Sequence, residues 1–217
     1  QSAMRSIDNL FMAGIISTEG KPNKMITEKI KYSKFSILQS KLIETAISTN
    51  DSSLIYIIMI IVEMMNNKST NKILSQTKTF NKLNKYNSDF INFWLLFKHL
   101  KNNLDTLSNE QKNYLSTIES DVDGQIENKS TPPTVSIDKN EINGNKNKIV
   151  NEQNQQILDS QIQHLKSHIY SVYKFNIIKK SFKEKELYIS QQNNLPGIPN
   201  KSSMFKYPNL PQYLIYD

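Results

Sequence analysis

The strongest constraint on the fold is an apolar run in the first third of the chain. Residues 54–62 read LIYIIMIIV and are followed by Glu63 and a pair of methionines. This run is well short of the roughly 20 apolar residues that a membrane-spanning helix needs. A helix over 54–65 would be apolar almost all round, and such a helix is stable only when other elements surround it. The sequence therefore predicts a central helix in a helical bundle and not a helix that spans a membrane.

The spacing of apolar residues predicts the elements that surround this central helix. The helical pattern is clear over 34–49, 88–100 and 157–174, whereas 70–83 is mostly polar and is predicted to be a loop or a weak helix. Side chains that can accept hydrogen bonds from backbone amides lie where helices would begin, at Asp51 or Ser52 and at Ser88. Ser108 and Gln111 fit a capping box at the start of a further helix.

The N-terminal segment has the pattern of a helix followed by a turn. Residues 2–14 have helical spacing, and Gly14 stands where a helix would end in the left-handed region. Residues 15–27 can form a small hairpin around Glu19 and Gly20. A helix followed by a hairpin is typical of the end of a winged-helix unit, and a bare helix-turn-helix is the alternative.

The chain changes character between residues 119 and 156, where large apolar residues are few and Asn, Lys, Asp and Glu are frequent. Such a segment cannot bury enough apolar surface to offset its ordering entropy. We therefore predict a flexible polar insertion between packed parts. Further along, residues 185–190 and 213–216 have strand character, and prolines punctuate the connection between them.

The charge and composition of the chain limit the classes of partner and the types of site that can be expected. The formal net charge is +7 and the pI about 9.3, which favours nucleic acid or an acidic membrane surface, with a solvated lysine-rich surface as the alternative. The absence of cysteine excludes disulfides, cysteine-based zinc sites and thiol catalysis. Abundant Asn, Lys and Ile indicate an AT-rich coding sequence, as in a virus or a parasite. No signal peptide is visible, so we expect an intracellular, non-secreted protein, in the virion or host cytoplasm if viral.

Motifs for catalysis and cofactor binding do not occur in the sequence. It has no glycine-rich phosphate loop, no H-E-x-x-H zinc motif and no arrangement that suggests a Ser–His–Asp triad. His164 and His168 are four residues apart on a predicted helix, but no third metal ligand is evident. We therefore expect no catalytic residue, cofactor or metal site within this chain.

Lysines and aromatic residues are interleaved after the last predicted helix. The lysines are Lys174, Lys179, Lys180, Lys183 and Lys185, and the aromatic residues are Tyr173, Phe175 and Phe182. Lysines that neutralise phosphates, next to aromatic rings that stack on bases, are typical of single-strand binding. The alternative is a solvated edge whose aromatic rings face the core, and sequence alone does not separate the two.

Several short segments are similar to motifs of one protein family, and they occur in the same order. They are LFMAGII at 10–16, SKLI at 40–43, SDFI at 88–91, PNKSSMF at 199–205 and PQYLIY at 211–216. Together they resemble the region that follows the motor domains in DEAH/DExH RNA helicases. The resemblance is greatest to the nucleoside-triphosphatase helicases of large DNA viruses such as poxviruses.

The resemblance implies a mainly α fold with a partial β segment at its C-terminal end. In that family the motors are followed by a winged helix, a helical ratchet bundle and an OB-fold. The implied parts are the end of a winged-helix unit at 1–32, a ratchet-like bundle at 33–118, the polar insertion at 119–156, a last bundle helix at 157–176 and a partial OB-fold at 177–217.

The same resemblance implies a function. The chain would be the non-catalytic C-terminal region of an NTP-dependent RNA helicase, with ATP or another NTP and Mg held by the motor domains of the same polypeptide. Its partners would be those motor domains and RNA, either single-stranded or duplex with a tail, and no membrane. The RNA-contact candidates are Lys201, Ser202, Ser203 and Lys206 from the resemblance, together with Lys179, Lys180 and Lys183 from the basic run.

A competing interpretation is a self-contained helical protein-interaction module from a virus or parasite with an AT-rich genome. It predicts a complete gene product of this size. The helicase interpretation instead predicts a piece of a longer protein, in line with a chain that starts without Met and stops inside an expected strand.

Overall fold

In a computed structural model of the chain, a helical bundle is followed in sequence by a small antiparallel sheet. The structure describes residues 14–23, 34–77, 88–127, 149–174, 177–180, 188–190, 196–197 and 213–215, together with Ile7, Leu10 and Phe11. In this part of the chain helix is far more abundant than strand, which confirms the prediction of a mainly α fold.

Six α-helices and one short 3-10 turn are present among the described residues. The helices are α1 (Ile37–Ser48), α2 (Ser52–Asn66), α3 (Thr70–Gln76), α4 (Asp89–Asn102), α5 (Asn109–Glu127) and α6 (Ile149–Tyr173). The 3-10 turn, Leu104–Thr106, lies between α4 and α5. Of the helices that the structure describes, none is both long enough and apolar enough to cross a membrane.

The predicted caps are present at the helix starts. The carboxylate of Asp51 accepts two amide protons of the first turn of α2, at 2.9 and 3.1 Å. Ser88 Oγ lies 3.5 Å from the amide nitrogen of Ile91 at the start of α4. Ser108 and Gln111 exchange hydrogen bonds between side chain and backbone at 3.1 and 3.2 Å, which is a capping box in front of α5. These bonds satisfy amides that have no partner within the helix.

Helix α2 occupies the centre of the bundle, as its composition predicts. Ile58, Ile60, Ile61 and Val62 are completely buried. One side of α2 packs in a cluster with residues of α1, α4 and α6, and the other side packs in a cluster with α3, α4 and α5. The apolar surface on all sides of this helix is therefore covered by its neighbours.

Helix α6 contributes buried residues to the first of these clusters. Its apolar residues recur at alternating intervals of four and three, and the buried ones that pack there are Ile162, Leu165, Ile169 and Val172. Tyr173, at the end of α6, is fully buried with its ring centroid 5.3 Å from that of Phe90. The heptad-like spacing thus forms a packing face within the bundle.

Helices reach further into the polar segment than the sequence predicts. Helix α5 continues past the expected boundary at 118 to Glu127, and α6 already begins at Ile149, so the predicted insertion at 119–156 is helical at both ends. Val122 explains the extension of α5, because it is completely buried in the second cluster. Residues 128–148, the middle of the predicted insertion, lie outside the described residues.

The N-terminal turn has the predicted backbone geometry. Gly14 has a φ of +69°, and its amide donates to the Phe11 carbonyl while the Ile15 amide donates to the Leu10 carbonyl. Gly20 has a φ of +75° within the turn that follows. Beyond this turn, residues 24–27 of the predicted hairpin lie outside the described residues.

Four short strands form one antiparallel sheet. They are β1 (Ile177–Lys180), β2 (Tyr188–Ser190), β3 (Pro196–Gly197) and β4 (Tyr213–Ile215), in the spatial order β3-β2-β1-β4. Strands β2 and β4 lie within the segments predicted to be strands. Strand β1 is flanked on both sides, so it is an interior strand of the sheet.

Candidate nucleic-acid interface

Strand β1 carries two consecutive lysines from the predicted basic run. Lys179 is in register with Ile189 on β2 and with Tyr213 on β4, and Lys180 is in register with Tyr188 on β2. Residues paired across antiparallel strands share a face of the sheet, and successive residues lie on opposite faces. Each face of the sheet therefore has one lysine position directly beside one tyrosine position.

The remaining register pairs of β1 are largely apolar. Ile177 pairs with Ile215, and Ile178 pairs with Leu214. Lys179 is half-buried. The two lysines are thus held within a sheet whose other members favour strand structure, rather than on an exposed tail.

The other predicted contact residues do not lie in the described part of the chain. These residues are Lys183, Lys201, Ser202, Ser203 and Lys206. Their role in binding RNA stays a prediction from the sequence. The strand pairing adds Tyr188 and Tyr213, which sequence reasoning did not select because it could not supply the register that brings them beside the lysines.

A second arrangement of lysines and aromatic rings lies on α4. The rings of Trp94 and Phe97 are stacked, with centroids 5.8 Å apart and an interplanar angle of 15°. Lys98 Nζ lies 5.8 Å from the centroid of the Trp94 ring, and Lys101 Nζ lies 5.7 Å from that of Phe97. Each lysine follows its aromatic partner by four residues, the spacing at which side chains of a helix meet. The four-residue spacing of each pair is visible in the sequence.

The two lysines of α4 differ in their electrostatic surroundings. Lys101 donates to a carboxylate oxygen of Glu119 on α5 at 2.8 Å. Burial alone would lower the pKa of Lys101, but Glu119 and the nearby Tyr56 hydroxyl outweigh burial and raise it. Burial lowers the pKa of Lys98, and among the described residues no carboxylate forms an ion pair with it. Lys98 is therefore a half-buried cation without a counter-charge in this part of the structure.

Of the two histidines singled out in the sequence, His168 connects two helices. His168 is half-buried on α6, and its Nε2 lies 3.3 Å from the carbonyl oxygen of Leu42 on α1. Burial lowers the pKa of His168, with smaller effects from Leu42 and from His164, which is itself exposed. Within the described residues, no group of three or more His, Cys, Asp or Glu side chains could hold a metal ion.

No protein-family model matches the chain, and no curated protein matches it either. The interpretation of the lysine and aromatic positions therefore depends on their own geometry and charge.

Proposed function

We propose that this chain is the non-catalytic C-terminal region of an NTP-dependent RNA helicase and contacts single-stranded RNA beside the motor domains of the same polypeptide. The observation that carries the proposal is the register of β1, in which Lys179 pairs with Tyr213 and Lys180 pairs with Tyr188. ATP or another NTP and Mg are held by the motor domains in this proposal, outside the present chain. In this proposal the chain itself binds RNA, and the motor domains hydrolyse the NTP.

Paired lysine and tyrosine positions suit a single strand for two physical reasons. An ammonium group next to a phosphate releases condensed counterions, which favours binding without regard to sequence. An aromatic ring stacks on any base, and such a contact contributes about 1–3 kcal/mol per base. A duplex hides its bases in the stack, so the combination favours an unpaired strand.

The order of the folded parts supports the finer assignment. A turn with a left-handed Gly14 follows the N-terminal helical residues, as at the end of a winged-helix unit. The bundle around α2 corresponds to the ratchet-like part, and α6 is its last helix. The antiparallel sheet that comes after α6 corresponds to the start of an OB-like fold. The net charge of +7 adds a long-range attraction for a polyanion.

The test is equilibrium binding of a fluorescein-labelled 12-nucleotide oligouridylate, measured by fluorescence anisotropy over a range of salt concentrations. We compare the wild-type chain with the Lys179→Gln/Lys180→Gln double variant. The matched control is Lys68→Gln/Lys112→Gln, which removes the same charge from two exposed positions on the bundle. Circular dichroism of each variant checks that the fold is retained.

The two β1 lysine positions lie on opposite faces of the sheet, so a strand bound along one face contacts one of them. The slope of log K against log salt is therefore expected to fall by about 0.7 in the double variant, as loss of one phosphate contact with a single strand requires. The control variant keeps the wild-type slope. Loss of affinity of equal size in both double variants would mean that only net charge matters. No binding by the wild-type chain even at low salt would overturn the proposal and favour the protein-interaction module.

A further inference from the structure

We infer that Trp94 and Lys98 on α4 form a separate site for one nucleotide of a single strand, in which the base stacks on the indole and the neighbouring phosphate binds the ammonium group. This inference rests on the proposed function but concerns a different surface, on the bundle and not on the sheet. Three properties of the pair carry it: the support of the ring, the lack of a counter-charge and the contact between the two side chains.

The indole of Trp94 is supported from within the bundle. Its ring is only partly buried, yet it packs against both apolar clusters. Phe97 is stacked on it, and Phe97 in turn packs against Tyr56 in a T-shaped arrangement, with ring centroids 6.4 Å apart. A ring that is held in place loses little side-chain entropy when a ligand stacks on it. The exposed part of Trp94 is therefore a prepared surface for a planar group.

Lys98 supplies the charge that such a ligand must complement. It is half-buried, and burial lowers its pKa without any compensating carboxylate among the described residues. A desolvated cation in this state favours an anion more strongly than a fully hydrated surface lysine does. Lys101, one turn further along α4, is the internal contrast because Glu119 already neutralises it. The anion site is accordingly at Lys98 and not along the whole helix.

The ammonium group of Lys98 contacts the indole ring of Trp94 in the structure. When a nucleotide binds, this contact is replaced by a contact between base and indole and one between phosphate and ammonium group. Lys98 Nζ lies 5.8 Å from the centroid of the indole ring, where it is attracted to the ring electrons. A base that stacks on the indole takes the place of the ammonium group. The flexible lysine side chain then moves its ammonium group to the adjacent phosphate. A nucleotide unit thus satisfies both groups together, which a free phosphate or a free base does not.

The experiment uses the intrinsic fluorescence of the full chain, because Trp94 is its one tryptophan. Unlabelled 12-nucleotide oligouridylate is titrated into the protein, and a sugar–phosphate oligomer of equal length without bases is titrated in parallel. The uridylate is expected to quench the emission in a saturable titration. The oligomer without bases is expected to bind more weakly and to leave the emission nearly unchanged.

The matched variants are Lys98→Gln and, as a control, Lys112→Gln at an exposed position of α5. We expect Lys98→Gln to lower the slope of log K against log salt by about 0.7, as loss of one phosphate contact requires, and to reduce the quenching at equal saturation. Lys112→Gln is expected to change neither quantity. Both substitutions remove one charge, so a difference between them reports the position of the charge.

The outcomes separate this inference from the proposed function. If the uridylate binds by anisotropy but leaves Trp94 emission and the Lys98→Gln slope unchanged, the α4 site is refuted while RNA binding by the chain stands. If the chain binds no oligonucleotide, both proposals fail. Quenching that the oligomer without bases reproduces would refute stacking on Trp94.

Discussion

The ammonium group of Lys34 lies 2.8 Å from a carboxylate oxygen of Glu63, whose side chain is only 4% exposed. Glu63 belongs to α2, whereas Lys34 stands just before α1. The side-chain amide of Gln125, near the end of α5, also donates to this carboxylate. One buried charge therefore connects the start of α1 and the end of α5 to the central helix. Buried carboxylates are tolerated only when they are paired in this way.

Removal of Lys34 tests how much this buried pair contributes. We expect Lys34→Ala to lower the free energy of unfolding by about 1–3 kcal/mol, because Glu63 stays buried without its counter-charge while Lys34 itself is half exposed. Lys21→Ala removes the same charge from the exposed pair of Lys21 and Glu19 and is expected to change it by less than about 0.5 kcal/mol. Urea unfolding monitored by circular dichroism measures both. Equal effects of the two substitutions would contradict a special role of the buried pair.

The turn after the N-terminal helix depends on two glycines with positive φ. We expect Gly14→Ala and Gly20→Ala each to destabilise the fold by about 1 kcal/mol, because the left-handed conformation is unfavourable for alanine. A Cβ atom at Gly14 would lie 3.1 Å from Lys41 Nζ, whereas at Gly20 nothing lies within 4 Å. Because the ammonium group of Lys41 ends a flexible side chain and can move aside, the two variants are expected to be destabilised to a similar extent.

Thermal unfolding of these variants provides the measurement, and Gly124→Ala provides the control. Gly124 lies within α5 in open space, where alanine favours the helix by roughly 0.5–1 kcal/mol. If Gly14→Ala were as well tolerated as Gly124→Ala, the proposed geometry of the turn would be wrong.

The burial of the Tyr114 hydroxyl predicts a loss of folding stability at high pH. Its hydroxyl lies 2.7 Å from Thr70 Oγ1, and both residues are buried. Burial raises the pKa of Tyr114, and the hydrogen bond with Thr70 offsets this only in part. Since the unfolded chain ionises this tyrosine near its ordinary pKa of about 10, the unfolded state binds fewer protons above that pH. Stability is therefore expected to fall as the pH rises above about 10.

The Tyr114→Phe variant isolates this effect. At neutral pH we expect it to be less stable than the wild type by about 1 kcal/mol, since one buried hydrogen bond is lost. Above about pH 10 the difference is expected to narrow, because phenylalanine cannot ionise. Urea unfolding at both pH values measures the two differences. A gap that stays constant or widens at high pH would contradict burial of the hydroxyl.

Local features of the bundle could be predicted from the sequence because they depend on near neighbours. The caps at Asp51 and Ser88 involve residues two or three positions away, and the burial of α2 follows from its composition. The extension of α5 could also be predicted from the sequence, since Val122 follows Ile118 by four residues and continues the same face of the helix. The polar residues around Val122 obscure this spacing in the sequence.

Contacts between distant parts of the chain could not be predicted in this way. Glu119 neutralises Lys101 only because α4 and α5 pack side by side. The pairing of Lys179 with Tyr213 depends on which strands are neighbours and on their register, and short strands leave many registers open. The basic run could therefore be recognised as a candidate interface, but the aromatic positions beside it could not be named.

Photo-crosslinking tests the central claim most directly, since it locates RNA on the wild-type chain. A 12-nucleotide oligouridylate that contains 4-thiouridine is bound at low salt, irradiated, and the crosslinked peptides are identified by mass spectrometry. We predict crosslinks to peptides that contain β1, β2 or β4, with Tyr188 and Tyr213 as the expected positions. Crosslinks confined to the exposed face of α5, or their absence at saturating RNA, would contradict a nucleic-acid interface on this sheet.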